Sequence, residues 1–346
     1  MTAPPADDAA RTRPTPLVVT ILGMHRSGTS VAGALVESLG VSMGDRAKHL
    51  RPLDENPRGF WEHAGVRDLN EELLHRLHGS WHAPPPLPRG WHSAPGLADL
   101  RDRTAAFIET EFGGHARWGW KDPRACVLLP FWSALLPPQR HIVCVRNPLD
   151  VVQSLQQRDD LTFDDGVRLW LVSMAGAVLH TTGQPRRVVH YESMIASPDS
   201  VIAQVLPLLD GVSRQADTAP VVDPGLRHHR TTPEQALHDA RLPRPVRDLY
   251  AACVRADEGA ALDLAASDAV HAQLVLDQAA GLSTWFTRFA RAQATALDPA
   301  DVHFGRPRPV SAARQQARAF FEARPALASS YRGLRRVVRR TLGLGP

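Results

Sequence analysis

Cysteine is scarce in this 346-residue chain: Cys126, Cys144 and Cys253 are far apart and odd in number. Three such residues build no disulfide framework and match no zinc spacing, which favours a reducing compartment. Cys144 falls in an apolar run and Cys126 in an expected helix, so both read as small buried hydrophobes. Residues Met1 to Pro16 are rich in Pro, Ala and Asp and contain no apolar signal core, so they read as a loose lead-in instead of an export signal. No apolar run approaches the roughly 20 residues that a membrane-spanning helix needs. A soluble, cytoplasmic protein is expected. The sixteen histidines are scattered, and the adjacent His228 and His229 would point apart on a helix, so no metal site is expected.

What is present suits a globular enzyme: 43% of residues are hydrophobic and 22% charged, enough to bury a large core in one α/β domain or two smaller ones. The net charge of +4 is unevenly placed. From Asp301 to Pro346 ten arginines face two acids, a balance of +8, so the first 300 residues stand at −4. The basic character therefore belongs to the tail and is poor evidence for nucleic-acid binding.

Leu17 to Leu22 is a short β-branched run of the kind buried in parallel sheets. Apolar residues at Val31, Ala32, Leu35, Val36 and Leu39, with Gly40 as a stop, predict a helix after it. Further helices are expected over about Glu62–Leu77, Leu97–Phe112, Pro123–Leu136 with Pro at its first position, Pro148 to about Arg158, and Phe163–His180. Strands are expected at Arg117–Trp120, His141–Val145 and Arg187–His190. Asp45–Trp61 and Pro84–Pro95 read as irregular chain. Strands alternating with helices predict an α/β fold with a central parallel sheet flanked by helices. The expected division is a lead-in at 1–16, an α/β domain at 17–230, a helical region at 231–300 and an Arg-rich tail at 301–346.

The first strand is followed by Gly23-Met24-His25-Arg26-Ser27-Gly28-Thr29-Ser30 and then a helix. Glycines at both ends of the turn, a helix N-terminus and three hydroxyls make a phosphate cradle. The spacing is that of a Walker A loop, except that Thr29 stands where Lys is required. An NTPase needs that Lys on its phosphates, so ATP chemistry is disfavoured, and Arg26 could supply the cation instead. A second site is suggested by Val143 to Asp150. Arg146 ends a buried strand, Asn147 is a good N-cap, and Ser154 follows two helical turns later on the same face.

These features, with Tyr191-Glu192 after Val188-Val189-His190, resemble the sulfotransferases that use 3′-phosphoadenosine 5′-phosphosulfate (PAPS). The similarity is closest to the tyrosylprotein-sulfotransferase-like and bacterial carbohydrate-sulfotransferase branches, and it covers about Leu17 to Leu209. The resemblance implies that Arg26, Ser27, Gly28, Thr29 and Ser30 hold the 5′ side of PAPS. It implies that Arg146 and Ser154 hold the 3′-phosphate, and that Tyr191 contacts the nucleotide. Lys121, in Trp120-Lys121-Asp122-Pro123, matches the family's Lys-Asp-Pro segment, whose Lys stabilises the transition state; read by itself, it could be a solvated partner of Asp122. Glu62 comes from the topological place of the family's catalytic Glu, with His63 and His25 as alternates for the base. A Glu at a helix N-terminus also serves as an ordinary cap.

The expected function is transfer of a sulfuryl group from PAPS to a hydroxyl or amine, by in-line displacement and without a metal. The expected acceptor is a small molecule or saccharide, for which Trp61, Trp81 and Trp91 offer aromatic faces unless they are core residues; a peptide tyrosine or a polyketide-type hydroxyl is the alternative acceptor. A P-loop kinase or NTPase, and a non-catalytic nucleotide-binding module of the same fold, are the alternatives. Gly225–Arg230 is a further basic segment. Ser330–Gly343 is either a solvated terminal helix or a basic amphipathic helix for weak contact with an anionic membrane surface.

Overall fold

The computed structural model describes residues 15–51, 59–85, 87, 90–210, 231–255, 262–263 and 265–268. Strands β1 (Leu17–Leu22), β2 (Arg117–Lys121), β3 (Gln139–Val145) and β4 (Arg186–His190) form a four-stranded sheet in the order β2-β1-β3-β4. All three pairings are parallel. The sequence LVVTIL has no polar alternation because both faces of β1 are covered. Val18 and Leu22 enter one apolar layer, and Val19 and Ile21 enter the other.

On one face lie α1 (Thr29–Ser38), α7 (Tyr191–Ala196) and α8 (Pro198–Val205). On the other lie α2 (Ala64–Arg76), α3 (Ala98–Phe112), α4 (Ala125–Ser133), α5 (Pro148–Asp159) and α6 (Phe163–Leu179). The chain thus leaves β1 into a helix on one face and leaves β3 into a helix on the other. This reversal of direction at the carboxyl ends of β1 and β3 is the place where open α/β sheets bind ligands.

Between residues 17 and 190 the expected strands and helices are all found, with shifts at their ends, while residues 256–261, 264 and 269–300 of the expected helical region lie outside the described residues. α2 begins at Ala64 and not near Glu62, because His63 takes the N-cap position and its Nδ1 accepts the Gly65 N–H at 3.1 Å. α4 begins two residues after Pro123. The Asp122 carboxylate accepts the Arg124 N–H at 2.8 Å and its carbonyl accepts that of Ala125 at 3.0 Å, so a turn comes first. β3 starts at Gln139, two residues early, because the buried Gln139 amide accepts the Thr20 hydroxyl of β1 at 2.6 Å. The Pro-rich stretch holds two short 3₁₀ turns, Trp91–Ser93 and Pro95–Leu97, and Trp91 belongs to the buried core instead of an exposed aromatic face.

Two further helices, α9 (Pro233–His238) and α10 (Arg244–Val254), pack on the α6 side of the sheet. Leu262 and Ala266 reach the same layer, and Arg186 of β4 pairs with Asp263 at 2.8 Å. The lead-in up to residue 14, the basic segment Gly225–Arg230 and the whole tail 301–346 lie outside the described residues. Among those described, no helix is long and apolar enough to cross a membrane.

Several imidazoles are held neutral inside this fold. Burial lowers the pKa of His141, His190 and His180, the last from 6.5 to about 4. With the folded-state value below the unfolded one, the unfolded chain binds more protons at acid pH. Stability is therefore expected to be full above about pH 6.5 and to fall as the pH drops towards 4. Denaturant midpoints measured between pH 7.5 and 4.5 check this, and a midpoint independent of pH across that range would contradict it.

Candidate active site

The loop after β1 is shaped by its backbone. Arg26 takes a left-handed φ of 69° and Gly28 one of 85°, a combination that turns successive N–H groups towards one concavity at the start of α1. At Gly28 a side chain is excluded by space as well, since a Cβ there would sit 2.5 Å from Cδ2 of Tyr191. The loop is tied down from below: the Gly23 N–H donates to the Cys126 thiol sulfur at 3.1 Å. Burial pushes that thiol's pKa up to about 12, so it stays protonated. Cys126 is thus a support for the loop, a role that its apolar surroundings in the sequence do not reveal.

Arg26 and the residues of β3–α5 form one unit. Arg26 Nε donates to Ser154 Oγ at 2.8 Å, and Arg146 Nη1 donates to the Arg26 carbonyl at 2.9 Å. The Arg146 guanidinium lies 4.4 Å over the ring of Tyr191, a cation–π contact that fixes its plane. The Asn147 side chain caps α5 by accepting from the Leu149 N–H at 3.0 Å, and it donates to the carbonyls of Thr231 and Thr232. The segment that follows residue 230 is therefore anchored beside Arg146.

Among the described residues the buried donors Ser27 Oγ and Arg146 Nε have no hydrogen-bond partner, and the same holds of His25 Nε2 and of the acceptor Asp150 Oδ2 beside them. Buried polar groups are nearly always paired, and an anion bound here would satisfy a hydroxyl donor and a guanidinium donor together. The chemistry of these two groups fits the phosphates of a nucleotide.

The third part of the site sits at the end of β2. Lys121 is the last residue of the strand and is almost wholly buried; its ammonium pairs with the carboxylate of Glu62 and lies 3.4 Å from Ser30 Oγ. Glu62 stands outside α2, so it is not that helix's cap. Asp122 is occupied elsewhere, holding Arg124 at 3.0 Å, and Arg124 also binds Glu71 at 2.5 Å. The sequence-based pairing of Lys121 with Asp122 is thus replaced by one with Glu62. Arg124 was not singled out from sequence, although its place in Lys121-Asp122-Pro123-Arg124 was the available signal.

His25, in the loop, is kept neutral by burial and by the cations Arg124, Arg158, Lys121 and Arg26, which push its pKa well below 6.5. Its Nε2 has no partner, and its ring lies 4.7 Å from that of Trp81. His63 points the other way. With Nδ1 used as the cap of α2, its Nε2 faces Glu111 at 3.4 Å and its ring packs on Phe107. Arg26, Ser27, Ser30, Lys121, Arg146, Ser154 and Tyr191 thus share one rim with Glu62, while His63 turns away from it. Among the described residues no cluster of His, Cys, Asp and Glu could hold a metal.

The sequence model of the sulfotransferase family matches residues 16–212, more than half of the chain. Among solved structures, the sulfotransferase domain from the Synechococcus PCC 7002 olefin synthase is 17% identical with a TM-score of 0.37. That match covers 75% of this chain and 95% of the other. Sulfotransferase STF9 from Mycobacterium avium is 14% identical with a TM-score of 0.36, over 60% of this chain and 66% of that one. No curated protein matches the sequence.

Ser27 offers a direct check of the anion site. Ser27→Ala removes a buried hydroxyl that has no hydrogen-bond partner among the described residues, so the unfolding free energy is expected to stay within about 1 kcal/mol. Affinity for 3′-phosphoadenosine 5′-phosphate (PAP) is expected to fall about 5- to 10-fold, the weight of one hydrogen bond. Calorimetry and chemical denaturation on the same variant separate the two effects.

Proposed function

The chain belongs to the sulfotransferase family, and from that premise we propose that it moves a sulfuryl group from PAPS to a hydroxyl of a saccharide or glycosylated metabolite. The family implies PAPS as co-substrate and a small acceptor. When bound, PAPS supplies a sulfuryl group on a phosphate leaving group, open to in-line displacement. The observation that carries the finer reading is the set of unpartnered buried donors, Ser27 Oγ and Arg146 Nε, on the rim that also carries the Lys121–Glu62 pair.

In this reading the backbone of the β1 loop, Ser27, Thr29 and the N-terminus of α1 hold the 5′ side, where the helix dipole favours an anion. Arg146, aligned by Tyr191, holds the 3′-phosphate. Arg26 bridges the two through Ser154, and one side chain thereby couples both ends of the nucleotide site. Lys121 and Ser30 stand where charge develops on the transferring group. Glu62 takes the proton of the acceptor hydroxyl. In the resting site Glu62 holds Lys121, so engagement of the ammonium by the donor leaves the carboxylate free for the proton. Trp81 supports a saccharide acceptor, because it keeps partial exposure beside His25, and an aromatic face suits a sugar ring. Trp61 is already committed to α1, and Trp91 to the core.

Calorimetry with PAP on the wild type and on Arg146→Ala tests the nucleotide reading. Tight binding weakened by about 1.5–3 kcal/mol in the variant is expected for loss of a charged hydrogen-bond partner. A wild type that ignores PAP and is stabilised by ATP would favour the kinase reading instead. For the acceptor side, a screen of saccharide and aryl hydroxyls should give transfer that Glu62→Gln slows by about 10²- to 10⁴-fold with PAP affinity retained.

A further inference from the structure

Glu62 pairs with Lys121 from a position outside α2. It lies in a strap, Gly59 to His63, that runs between α1 and the start of α2 and is held on both sides of the carboxylate. On the far side His63 caps α2, and the Leu50 N–H donates to the Glu62 carbonyl at 2.8 Å. On the near side the fastening is Trp61. Its indole Nε1 donates to Glu37 Oε2 of α1 at 2.9 Å, and the Arg46 guanidinium covers its ring at 4.4 Å. Arg46 in turn pairs with Glu37 at 3.2 Å. Trp61 sits directly on Gly33, where a Cβ would come within 2.9 Å of the Trp61 Cβ. One residue before, Ser30 Oγ donates to the Phe60 carbonyl at 3.0 Å.

The backbone at Trp61 is left-handed, with φ of 49°, a conformation that a bulky residue adopts only where the surroundings impose it. That turn separates the direction of the Trp61 side chain, down on α1, from that of Glu62, towards the end of β2. We propose that Trp61 is a positioning residue: seated on Gly33 and bonded to Glu37, it holds the strap in the turn that brings the Glu62 carboxylate against Lys121. Gly33 and Glu37 are parts of the same device. The inference rests on the reading of Glu62 as the group that serves the acceptor.

The test reads the ion pair itself, so it needs no acceptor. The chain contains two lysines, Lys48 and Lys121, so full-length protein labelled with ¹⁵N-lysine gives two side-chain ammonium signals, assigned through Lys48→Arg. Glu62→Gln defines where the Lys121 signal moves when the pair is lost. Trp61→Phe keeps a ring on Gly33 and removes the bond to Glu37; Gly33→Ala keeps every group and crowds the seat. Both are expected to move the Lys121 signal in the direction set by Glu62→Gln, with PAP affinity within about twofold of wild type because neither touches the nucleotide rim. A Lys121 signal unchanged in Trp61→Phe and in Gly33→Ala would overturn the proposal, as would one that ignores Glu62→Gln. Should Gly33→Ala fail to fold, Trp61→Phe decides alone. A chain that fails to bind PAP while its Lys121 signal answers to Trp61→Phe would sink the transfer reading and leave the positioning role standing.

Discussion

The parallel pairing of β1 with β2 on one side and with β3 on the other is the constraint from which the site follows. Parallel strands present all their carboxyl ends on one side, so Gly23 after β1, Lys121 at the end of β2, Arg146 after β3 and Tyr191 after β4 meet there although up to 168 positions separate them. Because α1 and α5 depart to opposite faces, the ground between β1 and β3 stays uncovered. The loop after β1 and the start of α5 then face each other closely enough for Arg26 to reach Ser154 and for Arg146 to reach the Arg26 carbonyl.

Charge is the second organising factor. Lys121, Glu62, Asp122 and Arg146 are all buried, and a buried charge is costly unless it is paired and hydrogen-bonded. Three acids here are held by cations, Glu62 by Lys121, and Asp122 and Glu71 by Arg124, while the buried Asp150 keeps an Oδ2 without a hydrogen bond among the described residues. Among the described residues Arg146 has one carboxylate in reach, Asp150 at 3.9 Å, and its Nε has no hydrogen-bond partner. In the proposed reading, an anion with its own acceptor oxygens would pair the Arg146 Nε. The neutral His25 fits the same pattern, since a proton on it would add a cation to a rim already crowded with them.

The fold was largely legible in the order of residues. Short apolar runs rich in β-branched residues marked β1, β3 and β4, β2 (RWGWK) having none, and the glycine turn after Leu22 marked the loop. The differences lie at element ends, where a side chain outbids periodicity. His63 capping α2 is the clearest case: periodicity carried the helix back to Glu62, but a local hydrogen bond starts it at Ala64 and so leaves Glu62 free of the helix. The tryptophans behaved similarly. Composition cannot tell an exposed ring from a buried one, and Trp91 proved to be core while Trp61 was fastened to α1.

The sequence by itself determined the parallel α/β class and the glycine turn after β1 with Thr29 in place of a lysine, because each depends on short-range pattern: apolar runs and glycine spacing. Only the tertiary structure decided which charges pair. Lys121 has Asp122 as its neighbour in the chain yet holds Glu62, 59 residues away. Cys126 supports Gly23 from 103 residues off, and Trp61, in a left-handed turn, packs on Gly33 of α1. Partners of that kind are chosen by where strands end and how closely helices approach, distances that no local pattern encodes.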